Sequence, residues 1–330
     1  MSRCLICSNE LKDASKYTNY HDKCLITMFG SIKVNPIIDV NLAEFKSEYI
    51  SEHRDCIRMS ISGVQLKKLA KLEDNRVIGT AKGGLYIIKP SPEEFTDLAI
   101  AEHLNMLMAQ SSGIKIPPVG LFRLNDQSLV YMIKRFDKDM NGAQILHQED
   151  MTSIMQPISG KVTIDKYSTS YEEVLESISD ATDQKLLVLY ETIKRVIFSY
   201  FTLNGDMHLK NISLIKGRIS ISYSDTSPGY DFVPSSLYIP GEDALALDLF
   251  KDDEFSEEYE ALGYFTRYDF IQLAHRLKLQ SKPIEKYIKA LIKLYPTFQQ
   301  MIKESLLSDD LKEKYLALLQ RRFNALSYTK

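Results

Sequence analysis

Asn204-Gly205-Asp206-Met207-His208-Leu209-Lys210-Asn211 is the stretch on which the reading of this chain turns. It follows a strongly apolar helical run, KLLVLYETIKRVIFSYF (185–201), and precedes a β-prone pair, 211–215 and 218–223, around Lys216-Gly217. A polar octapeptide between a buried helix and a hairpin is expected to form a loop at the edge of a core. Around it stand 330 residues with 44% apolar and 26% charged side chains, ordinary globular values that allow two domains or one bilobal enzyme. Lys plus Arg is 41 and Asp plus Glu is 44, a net charge of −3. That balance argues against a protein whose main business is holding nucleic acid phosphates. The N-terminus lacks a leader pattern, and Glu191, Lys194 and Arg195 interrupt the longest apolar run, so a soluble protein of the reducing cytoplasm is expected.

Within the octapeptide, Asp206 and Asn211 are five positions apart. A phosphoryl-transfer loop of the protein-kinase kind uses that spacing: the Asp accepts a hydroxyl proton and the Asn holds magnesium. His208 adds a polar anchor and Lys210 a cation near the transferred phosphate. Asn-Gly-Asp is also ordinary turn chemistry, so alone it leaves a plain turn as the rival. The partners then fall in order. Lys89 ends the β-prone run Leu85–Lys89, where a phosphate-gripping lysine belongs, and Glu102 lies thirteen residues later on an amphipathic helix, placed to pair with it. Asp231 follows Asp206 by 25 residues in Pro-Gly-Tyr-Asp-Phe-Val, the position of a second magnesium ligand, with Val233 where Asp-Phe-Gly would have its glycine. Asp225 is the rival ligand. There is no Walker loop and no G-x-G-x-x-G before Lys89; Ser60-Ile-Ser62-Gly63-Val64-Gln65 stands there and can offer backbone N–H groups to phosphates, or be a simple polar turn.

Helix and strand signals place these motifs. A helix is expected over 97–110, strands over Val119–Leu124 and Ser128–Ile133, and a loop-rich connection with one helix over 137–184. Helices are expected again at 185–203, 257–279, 283–294 and 308–326. The fold class is therefore α+β: a bilobal protein-kinase-like fold with a small mixed β/α N-lobe and a mainly helical C-lobe. The expected divisions are 1–55 as a short N-terminal segment, 56–136 as the N-lobe, and 137–330 as the C-lobe, with ATP taken up between the lobes.

The ordered motifs resemble the HipA-type serine/threonine kinases of bacterial toxin–antitoxin modules. The likeness runs through S-I-S-G-V-Q-L-K (60–67), Y-I-I-K-P (86–90), A-E-H-L (101–104), S-G-I-K-I-P (112–117), K-R-F-D (134–137), Q-E-D-M (148–151), N-G-D-M-H-L-K-N (204–211) and Y-D (230–231). The resemblance implies ATP and magnesium as cofactors. Ser62, Gly63, Val64, Gln65, Lys89 and Glu102 would form the nucleotide site, with Phe136 and Gln148 near the adenine. It makes Asp206 the base and Asn211 and Asp231 the magnesium ligands, and it makes Ser60 and Ser62 autophosphorylation sites in a loop ejected to switch the enzyme off. The longer members' extra N-terminal subdomain has no room before residue 56, which resembles the short HipT-like branch, whose missing piece is a separate small protein. Lys134 stands where longer members carry an acid. The implied substrate is an aminoacyl-tRNA synthetase, tryptophanyl before glutamyl, which the absence of Trp in this chain would suit. The implied partners are cognate antitoxins, with DNA reached only through one of them and no membrane. The rivals are a small-molecule phosphotransferase of the aminoglycoside-kinase type, against which Asn204 replaces a His, and a non-catalytic pseudokinase that binds a partner.

Two features fall outside this core. Cys4-x2-Cys7 and His21-x2-Cys24 supply four soft ligands in two pairs, a set suited to tetrahedral zinc, or else buried free thiols beside a helix His; Cys56 reads as a core thiol. The stretch 242–260 holds nine acids (242, 243, 248, 252, 253, 254, 257, 258, 260), expected to be a solvated face or a dock for a basic partner.

Overall fold

Ile87 and Ile88 lie in a strand, Tyr86–Pro90 (β4), that is buried along nearly its whole length and flanked by strands on both sides. The computed structural model describes residues 2–11, 19–45, 66–155, 164–252 and 254–329. Ser60, Ser62, Gly63, Val64, Gln65 and Cys56 therefore lie outside the described residues. The chain forms two units: Met1–Leu107 with Ile116–Gln144 and Ser305–Leu307, and Met108–Lys115 with Ile145–Glu304 and Ser308–Lys330.

The first unit is built on a six-stranded sheet. Its strands are Ile37–Ile38 (β1), Lys68–Glu73 (β2), Arg76–Gly79 (β3), β4, Val119–Leu124 (β5) and Leu129–Lys134 (β6), in the order β1-β5-β6-β4-β2-β3. Only the short β1 pairs in parallel; the other neighbours are antiparallel. The β2–β3 hairpin turns through Asp74 and Asn75, both with positive φ (47° and 59°), which matches the right-handed twist of the flanking strands. In the β4–β6 register Lys89 faces Tyr131. A short helix, Asp22–Phe29 (α1), and a longer one, Leu98–Ser111 (α2), complete the elements that matter for the site. From Leu98 to Leu107, α2 is buried on every side, with Glu102, His103 and Asn105 as its polar members.

The second unit is mainly helical. After Leu146–Asp150 (β7) come Met151–Ile154 (α3), Tyr171–Ala181 (α4) and Lys185–Phe201 (α5). Then follow Ser213–Gly217 (β8), Asp225–Thr226 (β9), Glu257–Leu262 (α6), Arg267–Arg276 (α7), Lys282–Glu304 (α8) and Asp309–Ser327 (α9). Helix α5 packs against α4, α8 and α9, and its buried residues from Val188 to Phe201 form the core before the 204–211 loop. Ser170 and Glu173 close a capping box at the start of α4. No helix of the described residues is long and apolar enough to cross a membrane.

Four expectations change here. The 137–184 connection contains a strand and two helices rather than one helix. The second strand of the pair expected at 218–223 lies at 225–226 instead, with Ile219 and Ile221 fully or almost fully exposed (100% and 94%). Its register is fixed by Arg195, buried in α5, which donates to Thr226 Oγ1 (2.8 Å) and the Ser227 carbonyl (2.6 Å). The helix expected over 257–279 is two helices, because Gly263 ends α6 in the left-handed conformation (φ 71°). The acidic stretch is not a uniform solvated face: Glu258 is buried, Glu242 accepts hydrogen bonds from Ser235 and Ser236, and Asp252 and Glu254 pair with Arg276.

Candidate active site

Lys89, at the end of β4, and Glu102, on α2, form an ion pair of 2.7 Å with side chains only 7% and 0% exposed. Burying two charges costs several kcal/mol unless they neutralise each other, so neither residue is tolerable there without its partner. The Lys89 Nζ also lies 5.7 Å from the centre of the Tyr131 ring across the sheet. Strand, sheet neighbour and helix thus hold one cation in a fixed place, as a phosphate-gripping lysine requires.

The octapeptide of the second unit is held through its backbone. Leu203 takes a positive φ of 66° and ends the run of α5, and Asn204 N–H then donates to the Ser199 carbonyl (2.9 Å). Asn204 Oδ1 accepts from Asp206 N–H (3.2 Å), and its Nδ2 donates to the Asp231 carbonyl (3.5 Å). Gly205 N–H donates to Ser235 Oγ (2.9 Å). A Cβ on Gly205 would meet Glu242 Oε2 at 2.5 Å and the Asp243 carbonyl at 2.6 Å, so the glycine is there for close packing. The Tyr171 hydroxyl donates to the Met207 carbonyl (2.8 Å). A 3-10 turn, Leu209–Asn211, then brings Asn211 Nδ2 onto the Asp206 carbonyl (2.8 Å). The Asp–Asn spacing is therefore a closed turn in which the Asn donates through its nitrogen and keeps its carbonyl oxygen for another ligand.

The side chain of Asp206 is 11% exposed, and the Tyr167 hydroxyl donates to its Oδ1 at 2.6 Å. His208 Nε2 stands 3.8 Å from the same oxygen, and its ring meets Tyr167 edge-on at 5.2 Å. Burial pushes the His208 imidazole down from its ordinary value, against the pull of Asp206. Burial, and then the hydrogen bond to Asp206, push the Tyr167 phenol up. Lys166 lies over the Tyr167 ring (4.6 Å), and burial lowers its ammonium. Lys210 is exposed, and its carbonyl accepts from the Tyr230 hydroxyl (3.0 Å).

Asp231 adopts a positive φ of 55°, and its charge acts on His208. Phe232 anchors it from below, edge-on to Phe198 of α5 at 5.1 Å, with Gly229 leaving room for the ring. Val233 is buried at 5% exposure. Asp225 lies elsewhere, paired in β9 opposite Ile215, where its charge acts on Arg195. Gln148, on β7, donates to Ser213 Oγ (3.1 Å) and to the Tyr230 hydroxyl (3.4 Å), next to Asp231 in the chain. Phe136 follows β6 in the first unit and is half-buried. Cys4, Cys7, His21 and Cys24, all in the first unit, bring their ligand atoms within 4.8 Å of one another.

Tyr167 and Glu242 are members of the site that the sequence reading omits. The signal for Tyr167 is the Ser170-x-x-Glu173 capping box just downstream, which fixes where its loop enters a helix. Glu242 had no local signal, since it is one acid among nine.

A sheet-rich unit with a buried Lys–Glu pair and a helical unit with this catalytic-type loop define a kinase-like fold. Residues 59–297 match the family described as HipA-like C-terminal domain, and the chain belongs to that family. A Haemophilus influenzae protein named "Putative kinase" is 29% identical over 321 residues, covering 92% of both chains. "Putative kinase Y4dM" of Sinorhizobium fredii is 29% identical over 243 residues, 66% of this chain and 56% of that protein. Among solved structures, HipA from the Shewanella oneidensis MR-1 toxin–antitoxin complex of HipA, HipB and operator DNA resembles the fold with a TM-score of 0.65. It is 17% identical, over 88% of this chain and 71% of that one. The Helicobacter pylori proinflammatory kinase CtkA resembles it with a TM-score of 0.55 at 15% identity, over 78% of this chain and 90% of that one.

Proposed function

We propose that this chain is an ATP-dependent serine/threonine protein kinase, the toxin of a toxin–antitoxin system, acting in the cytoplasm. The observation that carries the reading is the hydroxyl of Tyr167 donating to Asp206 Oδ1 at 2.6 Å, because a substrate hydroxyl must make the same bond before transfer. Asp206 takes the proton of the incoming serine hydroxyl on Oδ1 as the serine oxygen bonds to the γ-phosphorus of ATP and the bond to the β–γ bridging oxygen breaks, releasing ADP. The Asn211 side chain holds the loop through the Asp206 carbonyl, and His208 packs beside the carboxylate, so that Oδ1 stays in place. Lys89, kept charged and immobile by Glu102, grips the α- and β-phosphates of ATP.

Asn211 and Asp231 offer only oxygen donors, a set that suits a hard divalent cation such as magnesium. Magnesium, when bound, neutralises the charge that spreads over the phosphate oxygens during transfer. Phe136 and Gln148 are assigned to the adenine side of the nucleotide, and Ser62, Gly63, Val64 and Gln65 to its phosphates. Autophosphorylation is assigned to Ser60 or Ser62, where a phosphate of about −2 charge would repel ATP.

The toxin role rests on the family and on the likeness to HipA, whose solved complex contains HipB and operator DNA. By that likeness the partner is a DNA-binding antitoxin. The proposed substrate is an aminoacyl-tRNA synthetase, tryptophanyl before glutamyl. The test is to incubate the protein with ATP, magnesium and each purified synthetase, and to map phosphate by mass spectrometry. Phosphoserine on the tryptophanyl enzyme, with growth arrest on expression that Asp206→Ala relieves, is the expected result. Arrest unchanged by Asp206→Ala would rule out a catalytic toxin.

A further inference from the structure

We infer that Cys4, Cys7, His21 and Cys24 form a closed structural Zn²⁺ site, and that this site ties the N-terminal knuckle to helix α2. Cys4 and Cys7 flank a tight turn: Ser8 takes a positive φ of 58°, and its N–H donates to the Cys4 carbonyl at 2.8 Å. His21 is the N-cap of α1 and makes no side-chain capping bond, while Cys24 sits one turn along, where its N–H donates to the His21 carbonyl (3.0 Å). The i, i+3 spacing puts both side chains on one face of the helix start. His21 Nδ1 lies 3.4 Å from Cys7 Sγ and 3.9 Å from Cys24 Sγ, and all four ligand atoms fall within 4.8 Å. Zinc–sulfur bonds of about 2.3 Å and zinc–nitrogen bonds of about 2.0 Å in a tetrahedron need edges of about 3.5–3.8 Å, close to the two His21–sulfur separations.

A second observation is independent of the thiols. The other ring nitrogen of His21, Nε2, lies 3.2 Å from the Glu10 carbonyl. A carbonyl only accepts, so Nε2 carries the proton and Nδ1 turns its lone pair toward the sulfurs. Metal-binding histidines are oriented by such a bond. Cys7 and Cys24 are half-buried rather than packed in the core, which does not fit simple apolar thiols. A disulfide would join two of the three sulfurs and leave His21 without a role. Three thiolates and an imidazole form a soft set that favours Zn²⁺ over magnesium or calcium, and four protein ligands leave no open position for catalysis.

The knuckle is fastened to the sheet and to α2. The Leu5 carbonyl accepts from Leu121 N–H in β5 (2.8 Å), and the Tyr20 hydroxyl donates to the Leu121 carbonyl (3.2 Å). Ile6 fills the space above Gly120, where a Cβ would come within 2.7 Å of it. His103 Nε2 donates to the Ile6 carbonyl at 2.9 Å in a buried position, one residue after Glu102. Ile6 lies between two of the ligands, so a metal that fixes the Cys4–Cys7 turn also fixes the acceptor for His103.

The inference is independent of the kinase reading, and its test does not use activity. Purified full-length protein, prepared without chelator, should hold about one zinc per chain by elemental analysis. Cys7→Ser/Cys24→Ser should hold less than about a tenth of that. Because the double variant can unfold, wild-type protein stripped of metal is also titrated with Co²⁺, which should give thiolate-to-cobalt charge transfer and tetrahedral d–d bands. Hydrogen exchange should then rise about tenfold or more in residues 3–10 and 98–107 of the stripped protein and return on zinc addition. Wild-type protein with less than about a tenth of an equivalent of zinc, a disulfide among these cysteines, or octahedral cobalt spectra would overturn the site. Exchange in 98–107 that ignores zinc would overturn the tie to α2.

Discussion

The Lys89–Glu102 pair and the Asp206 loop solve opposite problems. The pair is almost wholly buried and makes its contact between two regular elements, so its charge is fixed at the cost of desolvation. The loop is fixed through its backbone from below, by Ser235, Tyr171 and Asn211, while the Asp206 carboxylate meets a single hydroxyl from Tyr167. Under the proposed roles, a group that grips phosphate can be locked, whereas a base that takes a proton must be reachable by a changing partner. The difference shows why one region is held by side-chain charge and the other by main-chain hydrogen bonds.

The strongest way to break this contrast is on the locked side. Glu102→Ala removes the buried carboxylate that faces Lys89 and should destabilise the chain by about 3–5 kcal/mol in denaturant unfolding. Lys89→Met/Glu102→Leu should recover most of that loss. Equal stability of the single and double variants would show that the pair is not desolvated as described.

His103 gives the next effect, beside Glu102. Burial pushes its imidazole down to about 4 from 6.5. A base depressed in the fold binds its proton first in the unfolded chain, so stability is full above pH 6.5 and falls as the pH drops toward 4. The loss should reach about 3 kcal/mol at pH 4, and His103→Gln should remove that part of the pH dependence. A wild-type stability curve parallel to that of the variant would contradict the buried neutral imidazole.

On the loop side, Gly205→Ala pushes a Cβ into Glu242 and the Asp243 main chain and should cost about 1–3 kcal/mol, with slower transfer. Tyr167→Phe is the mildest change. It frees Asp206 Oδ1 for a substrate hydroxyl, so KM for a protein substrate should fall a few-fold while kcat holds. A hundred-fold fall in kcat would instead make Tyr167 part of the proton path.

Much of this was legible in the sequence because the signals were local and agreed. Leu85–Lys89, with Pro90 behind it, reads as a strand; the strand found is Tyr86–Pro90, and Lys89 pairs with Glu102 thirteen residues on. The Asp206–Asn211 spacing reads as that of a phosphoryl-transfer loop, and one hydrogen bond joins the two residues. The omissions come from tertiary contacts. Strand β7 is Leu-His-Gln-Glu-Asp, half-buried throughout, with no alternating pattern to mark it. Ile219 and Ile221 alternate like a strand, yet Arg195 fixes Thr226 and Ser227 beside β8 instead. Glu242 enters the site only because Gly205 packs against it from more than thirty residues away.

The measurement closest to the central claim is transfer of labelled γ-phosphate from ATP with magnesium by the full-length protein, mapped by mass spectrometry and compared with Asp206→Ala. Phosphate on Ser60 or Ser62 is expected in the wild type, and a rate lower by about 10²–10⁴-fold in the variant, at unchanged melting temperature. Transfer at the same rate in both, or none from the wild type to itself or to any protein of a cell lysate, would contradict it.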